Sequence, residues 1–309
     1  MKIAFWSNGG NNMCVTSNMA CITSIISLKN AGMKREILLE NHFNKERGLE
    51  RVLIQQDKID FLRETGGYYV KYGLEYILKR IFIGETHEEI IKSSTINLLL
   101  SNMFLLPSGM VFNKEVFNYD FSLVHNELFE MLEKAGDYVF IDTESNQNLS
   151  TKQILYDADI VVVNLSQNSK NIYDFFENYT SLREKAVYIV GKYQPKKRWT
   201  RKKICYEFNI PRNKIGVIPY NSEFSEALEY GKLQYFLNYN FTGPVRMENE
   251  YFMRQCKKSA NIILNMISEV KKKKERQQRQ IYIDDICKSG IGEFGMRPEY
   301  SRQKINSYK

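Results

Sequence analysis

The sequence predicts an α/β protein: a mostly parallel, twisted sheet with helices on both faces, followed by a C-terminal helix and tail. Three observations carry this. Short apolar runs alternate with longer stretches of helical periodicity, the signature of successive βα units. The short runs are dense in Val, Ile and Leu, as in Ile160–Leu165, which suits strands covered on both faces. The chain also opens as strand, loop and helix: apolar Met1–Trp6, a Gly- and Asn-rich stretch to Ser17, then an apolar periodic run from Asn18 to Leu28.

Taken in order, the strand candidates are Lys2–Trp6, Glu36–Leu39, Met103–Leu106, Tyr138–Ile141, Ile160–Leu165, Val187–Val190 and Lys214–Ile218. Helices are expected over Ser17–Asn30, Leu49–Glu64, Tyr69–Arg80, Thr86–Ser101, Leu123–Lys134, Ile172–Leu182, Arg201–Phe208 and Ser222–Tyr230. Thr200 is a natural N-cap for the helix beginning at Arg201, because its hydroxyl can accept an orphan first-turn N–H. From Met247 to about Gln280, Phe252, Cys256, Ala260, Ile263, Ile267 and Val270 recur every three or four residues and give one helix an apolar face. Lys271–Lys274 then place positive charge toward its C-terminal half, where the helix dipole favours it. Beyond Ile281, Gly290, Gly292, Gly295 and Pro298 break any period. The expected organisation is a sheet domain over 1–240, an amphipathic basic helix over 241–280 and a flexible tail over 281–309.

With 309 residues, 43% of them hydrophobic, the chain can bury a sizeable core. No apolar run approaches the roughly 18 residues of a membrane span. The opening strand leaves no room for a basic leader, and five scattered cysteines make no C-x-x-C pair. A reducing, cytoplasmic setting is therefore expected. Three isolated histidines (42, 87 and 125) argue against a zinc site. The net charge of +8 is unevenly spread. Arg246 to Lys309 holds 15 basic and 8 acidic residues, and Lys192–Lys203 adds seven basic residues and no acid. Concentrated basic surface on an otherwise acidic body suits contact with a polyanion; a solvated helix and tail is the plainer alternative.

The loop after the first strand sits where a phosphate-binding loop belongs. The spacing G-x-x-x-x-G-K-[ST] can be laid on it with Gly9 first, Cys14 for the second glycine, Val15 for the lysine and Thr16 in place. Further on come Asp137-Tyr138-Val139-Phe140-Ile141-Asp142-Thr143, then Ala158-Asp159-Ile160-Val161-Val162-Val163, then Ile218-Pro219-Tyr220-Asn221 with Glu226-Ala227 and Gly231 behind it. Leu105-Leu106-Pro107 adds an "LLP" strand. Four pieces in this order, spanning roughly residues 1–237, resemble the ParA/MinD family of deviant-Walker ATPases, which place plasmids, division sites and pili. The resemblance implies a P-loop NTPase-like sheet, ATP or ADP with Mg2+ as cofactor, and a homodimer that works with a protein partner.

It also implies site roles. Gly9, Gly10, Asn11 and Asn12 would form the phosphate cradle with Thr16 and Ser17, and Asn tolerates the glycine-like φ that the turn needs. Thr16 would ligate Mg2+, Ser17 would touch the α-phosphate and Asp142 would hold the Mg2+ water shell. Tyr193, Pro219 and Tyr220 fall where the family contacts adenine. Thr16 and Ser17 as a helix cap, and Asp142 as a strand-end residue fixing a turn, are the plainer alternatives.

The departures weigh as much as the matches. Family loops read K-G-G-x-G-K-[ST]; here Gly10 replaces the signature lysine and Val15 the second one. Charge-assisted hydrogen bonds contribute ~1.5–3 kcal/mol each, so losing two weakens triphosphate binding by ~10²–10⁴-fold. The charge stabilisation that phosphoryl transfer requires is lost with them. This pattern resembles the TadZ/CpaE branch, whose members often lack the loop lysine. The family's "D-x-D" after the second strand is also missing: the place reads Glu40-Asn41-His42, where Glu40 or His42 as a substitute base is one reading and ordinary loop residues the plainer one.

The expected function is a non-hydrolysing positioning or assembly scaffold. Two alternatives stand beside it: a weak ATPase in which Lys34, Lys192 or a partner's lysine substitutes, and a DNA- or partner-binding module with no ligand. Lys196, Lys197, Arg198, Arg201, Lys202 and Lys203, with Trp199 among them, are the candidates for nonspecific DNA. Ile281–Phe294 is too interrupted by glycine to make a good membrane helix.

Overall fold

The computed structural model describes residues 1–10, 13–42, 48–64, 73–98, 101–109, 113–145 and 148–288. Its centre is an eight-stranded sheet: β1 (Lys2–Trp6), β2 (Glu36–Asn41), β3 (Ile96–Asn97), β4 (Met103–Leu106), β5 (Tyr138–Thr143), β6 (Ile160–Leu165), β7 (Ala186–Tyr193) and β8 (Ile215–Pro219). The spatial order is β3-β4-β2-β5-β1-β6-β7-β8. Every pairing is parallel except β3 with β4 at the edge. The strands double-covered by helices are the apolar runs of the sequence, and β1, β5 and β6 are almost wholly buried.

The helices are α1 (Val15–Lys29), α2 (Leu49–Leu53), α3 (Gln56–Glu64), α4 (Leu74–Phe82), α5 (Glu88–Ser94), α6 (Lys114–Ala135), α7 (Leu149–Asp157), α8 (Ser169–Asn178), α9 (Arg201–Glu207), α10 (Ser222–Glu229), α11 (Leu233–Thr242) and α12 (Met247–Lys288). One face of the sheet, with Ala4, Trp6, Leu39, Ile141 and Val163, packs on Phe121 and Leu128 of α6 and on Phe175 of α8 in one apolar cluster. The alternate residues of the same strands face α1, and Phe5 and Phe140 meet there edge to face at 6.3 Å. On that side α1 packs against α2 and α11.

Several boundaries differ from the sequence reading for local reasons. The expected helix Thr86–Ser101 is instead α5 followed by β3, because Thr95 is extended and Ile96 and Asn97 pair with the β4 edge. Leu49–Glu64 splits into α2 and α3 at Ile54, also extended. There Gly231, at φ +63°, lies so close that a Cβ would sit 2.1 Å from the Ile54 carbonyl oxygen. Helix α6 starts at Lys114 rather than Leu123, capped by Asn113, whose Oδ1 accepts from the N–H groups of Glu115 and Val116. Helices α7 and α11 were not anticipated. Thr200 caps α9 as its sequence suggests, accepting from Lys203 N at 3.3 Å.

The chain divides into two compact units, Met1–Met266 and Ile267–Lys309. Within the first, Ser259 of α12 clamps β8: its Oγ accepts from Val217 N and donates to Val217 O, each at 2.9 Å. Within the second, the helix runs on to Lys288, eight residues into the stretch expected to be tail. The stretch 289–309 lies outside the described residues. Among the described residues no helix is long and apolar enough to cross a membrane.

Candidate functional site

Chain reversal positions the site. The β1→β2 connection leads to one side of β1, and β5→β6 steps across to the other, so the loops at the carboxyl ends of β1, β5 and β6 surround a topological switch point. The β1–α1 loop lies there. Ser7 Oγ accepts from Gly9 N at 3.0 Å, and Asn8 Nδ2 donates to Asn171 O and Asp174 Oδ2 on α8. A Cβ at Gly9 would fall 2.4 Å from Asn171 Nδ2, so any larger residue would have to displace that amide. Met13 is buried beneath it and receives an Asn171 Nδ2 contact on sulfur. Gly10 is exposed, and Asn11 and Asn12 lie outside the described residues.

Cys14, at the place of the motif's second glycine, sits in the left-handed region at φ 58°, ψ 32°. That conformation costs an L-residue ~1–2 kcal/mol, and glycine almost nothing. Helix α1 then starts at Val15 with no side-chain cap and no acid in its first turn. Thr16 and Ser17 are therefore not the helix cap; they occupy the first turn itself, half-buried. The turn's N–H groups, at the positive end of the helix dipole, receive no side-chain cap from Cys14. Below it, Asn18 Nδ2 donates to Asn164 Oδ1 at 2.9 Å, and Gly191 on β7 leaves space for the amide.

Beside the loop lies a buried cluster that corrects two expectations. Glu40 is within β2, not in a loop, and its register partner on β5 is Asp142. His42, two residues on, falls on the same face. Its Nε2 stands 3.0 Å from Glu40 Oε1 and 3.2 Å from Asp142 Oδ2, with all three side chains buried. His42 is thus isolated in sequence but not in space. Glu40 also ties the region together, accepting from Leu49 N at the start of α2 (2.6 Å) and from Ser108 N after β4 (3.3 Å). Gly48 is obliged to be small, because a Cβ there would meet Glu40 Oε1. Burial raises the pKa of Glu40, but the His42 charge and the two N–H donors outweigh it and leave the carboxyl below its ordinary range. For His42 burial acts downward, and the charges of Glu40 and Asp142 outweigh it, holding the ring well above its ordinary value.

The other candidates are scattered around this end of the sheet with different exposures. Tyr193 closes β7 with its ring buried in the core and its hydroxyl accepting from Arg201 N, so its face is not available to a base. Pro219 ends β8, buried, while Tyr220 is 57% exposed and held by its N–H to Tyr193 O. Lys196, Lys197, Arg198 and Lys202 are exposed. Arg201 is spent on the Arg212 carbonyl, and Lys203 lies over the Trp199 ring at 4.7 Å. Trp199 itself is packed between Tyr173 and Phe208 and is no stacking platform. Lys34 is excluded as a substitute loop lysine: it pairs with Asp137 at 2.8 Å at the amino ends of β2 and β5, a strand length of ~15–20 Å from the loop. Lys192 is at the correct end, exposed, with φ 45°.

No protein-family model matches the chain, and no curated protein matches it by sequence. Solved structures do match by shape. A ParA family ATPase from Chlorobium tepidum TLS superposes with a TM-score of 0.62 at 13% identity, covering 84% of this chain and 98% of that one. A chain of the MinC:MinD cell division protein complex of Aquifex aeolicus gives 0.58 at 15% identity, with 85% and 95% covered. A putative plasmid partition protein from Borrelia burgdorferi B31, bound to AMPPNP, gives 0.57 at 15%, with 85% and 98% covered. The chain therefore has the fold of ParA/MinD ATPases, an α/β P-loop NTPase architecture.

Tested against that fold's nucleotide, the residues fit in part. An uncapped helix start and a glycine-like Cys14 suit a phosphate held by main-chain N–H groups. The two lysines are absent, and Asp142, expected in the Mg2+ shell, already faces the His42 ring. No hydrogen bond links Thr16 to Asp142 among the described residues. A bound nucleotide would bring the phosphate charge that organises such a loop, and this chain would answer it with main-chain N–H dipoles and the Thr16 and Ser17 hydroxyls in place of the two loop lysines.

Proposed function

We propose that the protein is a ParA/MinD-like positioning or assembly scaffold of the lysine-less, TadZ/CpaE-like kind, which binds nucleotide weakly or not at all and does not turn it over. One observation carries this reading: Cys14 keeps the glycine conformation of a phosphate loop, while Gly10 and Val15 stand where its two cations belong. Association then replaces turnover. The loop-bearing end of the sheet is the homodimer face. The exposed Lys196, Lys197, Arg198 and Lys202 are the contact for nonspecific DNA or an acidic partner. The similarity to a chain of the MinC:MinD complex and to a plasmid partition protein supports an assembly role.

Titration of the full chain with a fluorescent ATP analogue, with and without Mg2+, tests the ligand, and phosphate release at saturating ATP–Mg2+ tests turnover. Weak binding with no release is expected. Sustained phosphate release abolished by Asp142→Ala would overturn the scaffold reading. It would favour instead a weak ATPase, for which Lys192, exposed at the loop end of β7, is the available cation.

A further inference from the structure

Among the described residues, Asp142, 1% exposed, has no hydrogen-bond donor on either carboxylate oxygen and neither ring nitrogen of His42 makes a hydrogen bond, although both side chains are more than nine-tenths buried. Buried polar groups are nearly always hydrogen-bonded, so four atoms in one cluster without a hydrogen bond, two of them (His42 Nε2 and Asp142 Oδ2) only at ion-pair distance from each other, need a cause. The geometry supplies one. Two carboxylates, Glu40 Oε1 and Asp142 Oδ2, converge on the same ring nitrogen at 3.0 and 3.2 Å. One nitrogen carries one proton at most, and here the N–H axis is directed well at neither oxygen. Charge gives the same answer. Two carboxylates and an imidazolium leave a net negative charge buried, which is costly without further donors. A divalent ion with a neutral imidazole brings the sum to zero.

We propose that Glu40, His42 and Asp142 form a binding site for a divalent transition-metal ion that is taken up without nucleotide. The three ligand atoms lie within 4.8 Å of one another. Around an ion with bonds of ~2.1 Å, adjacent ligand atoms stand ~3.0 Å apart in an octahedral shell and ~3.4 Å in a tetrahedral one. The two nitrogen–oxygen separations fall in that interval. An imidazole with two carboxylates selects Mn2+, Fe2+, Co2+ or Zn2+ over Mg2+ and Ca2+, which prefer all-oxygen shells. The site is set by the backbone: Glu40 and His42 share a face of β2, Glu40 faces Asp142 across the ladder, and the N–H groups of Leu49 and Ser108 fix the Glu40 carboxylate. Such outer support is what orients a metal ligand. The proposal shares Asp142 with the nucleotide reading but does not rest on it.

The test uses the full chain, stripped with a chelator and titrated with Co2+ in the absence of nucleotide and Mg2+. One Co2+ per chain is expected, with visible d–d absorption and no thiolate-to-metal band. His42→Ala and Asp142→Asn should each weaken uptake by at least ~100-fold, beyond the 10–100-fold typical of losing an outer-shell partner. His87→Ala and His125→Ala should leave it unchanged. Should the ligand variants fail to fold by circular dichroism, the paramagnetically shifted imidazole protons of the Co2+-loaded wild type must come from a single histidine. No uptake without nucleotide, a thiolate band, more than one shifted histidine, or unaltered affinity in folded variants would overturn the proposal. Fluorescent ATP binding that persists without Co2+ uptake would sink this site and leave the nucleotide reading standing. Co2+ uptake without ATP binding would support this site and leave the scaffold reading in its ligand-free form.

Discussion

Replacing Glu36 by glutamine should stabilise the protein increasingly as pH rises toward 8 and leave it nearly unchanged only below about pH 4.5, where both folded and unfolded chains keep the Glu36 proton. Glu36 opens β2 with no exposed surface; its Oε1 accepts only a long 3.4 Å contact from Asn30 Nδ2, and its Oε2 has no partner. Burial, with a smaller push from the neighbouring Asp137 charge, outweighs the Asn30 contact and moves its pKa from 4.5 up to about 8. The folded state thus holds a proton that the unfolded chain releases near 4.5. Stability contributed by the protonated form is present at low pH and declines as pH rises toward 8, by about 1.4 kcal/mol per pH unit. Between about pH 6 and about pH 8 the wild type should lose roughly 3 kcal/mol through this group alone, a large share of the 5–15 kcal/mol that holds a typical domain folded. Glutamine carries the same shape and keeps an acceptor for Asn30, but has no proton to lose. Urea denaturation of both proteins at about pH 6 and about pH 9 checks this, with the difference between them cancelling other titrations. The two stabilities should diverge by roughly 3 kcal/mol in favour of Glu36→Gln at the higher pH. Curves that stay parallel across the range would refute the assignment of a buried, neutral carboxyl.

Three further outcomes follow from the loop and the basic surface. Cys14→Gly should raise stability by ~1 kcal/mol in denaturant unfolding, since glycine adopts φ 58° without the left-handed penalty. Val15→Lys restores one phosphate cation and should tighten fluorescent ATP binding by ~10–100-fold, equivalent to 1.5–3 kcal/mol; no change would mean that the loop is not a phosphate site. Changing Lys196, Lys197, Arg198 and Lys202 together to alanine should lower the salt dependence of nonspecific duplex binding by up to ~0.9 per lost phosphate contact, read from gel shifts at several salt concentrations.

Much of the fold was legible because strands buried on both faces leave unmistakable runs. Lys2–Trp6, Met103–Leu106 and Ile160–Leu165 coincide with their predicted bounds. What failed was set by tertiary contact. Ile96 and Asn97 read as helix, and only the β4 edge makes them a strand. The break between α2 and α3 lies against Gly231, far along the chain, where no larger residue would fit. Lys34 was a legible error: it precedes a strand, so it could only lie at the end of the sheet away from a loop that follows one. The Glu40–His42–Asp142 cluster was half visible. Two polar residues at i and i+2 on a strand share a face, but the register that sets Glu40 against Asp142 is a long-range pairing no local pattern reports.

That cluster and the loop make the same argument about why this end of the sheet has the form it has. A connection whose sole task is to join β1 to α1 needs neither a non-glycine residue at φ 58° nor an uncapped helix start, and each costs stability. A strand end whose sole task is to stop needs no carboxylate 1% exposed without a donor, facing a second carboxylate across one imidazole. Single substitutions such as Cys14→Gly or Asp142→Asn would relieve them. Glu36 is a comparable cost at the amino end of the same sheet, so the loop and cluster are distinguished not by cost alone but by adjoining each other where strand-end loops converge, which is what the proposed binding role requires. The loop answers negative charge with N–H dipoles, the cluster answers positive charge with carboxylates, and the two adjoin at the carboxyl ends of β1, β2 and β5.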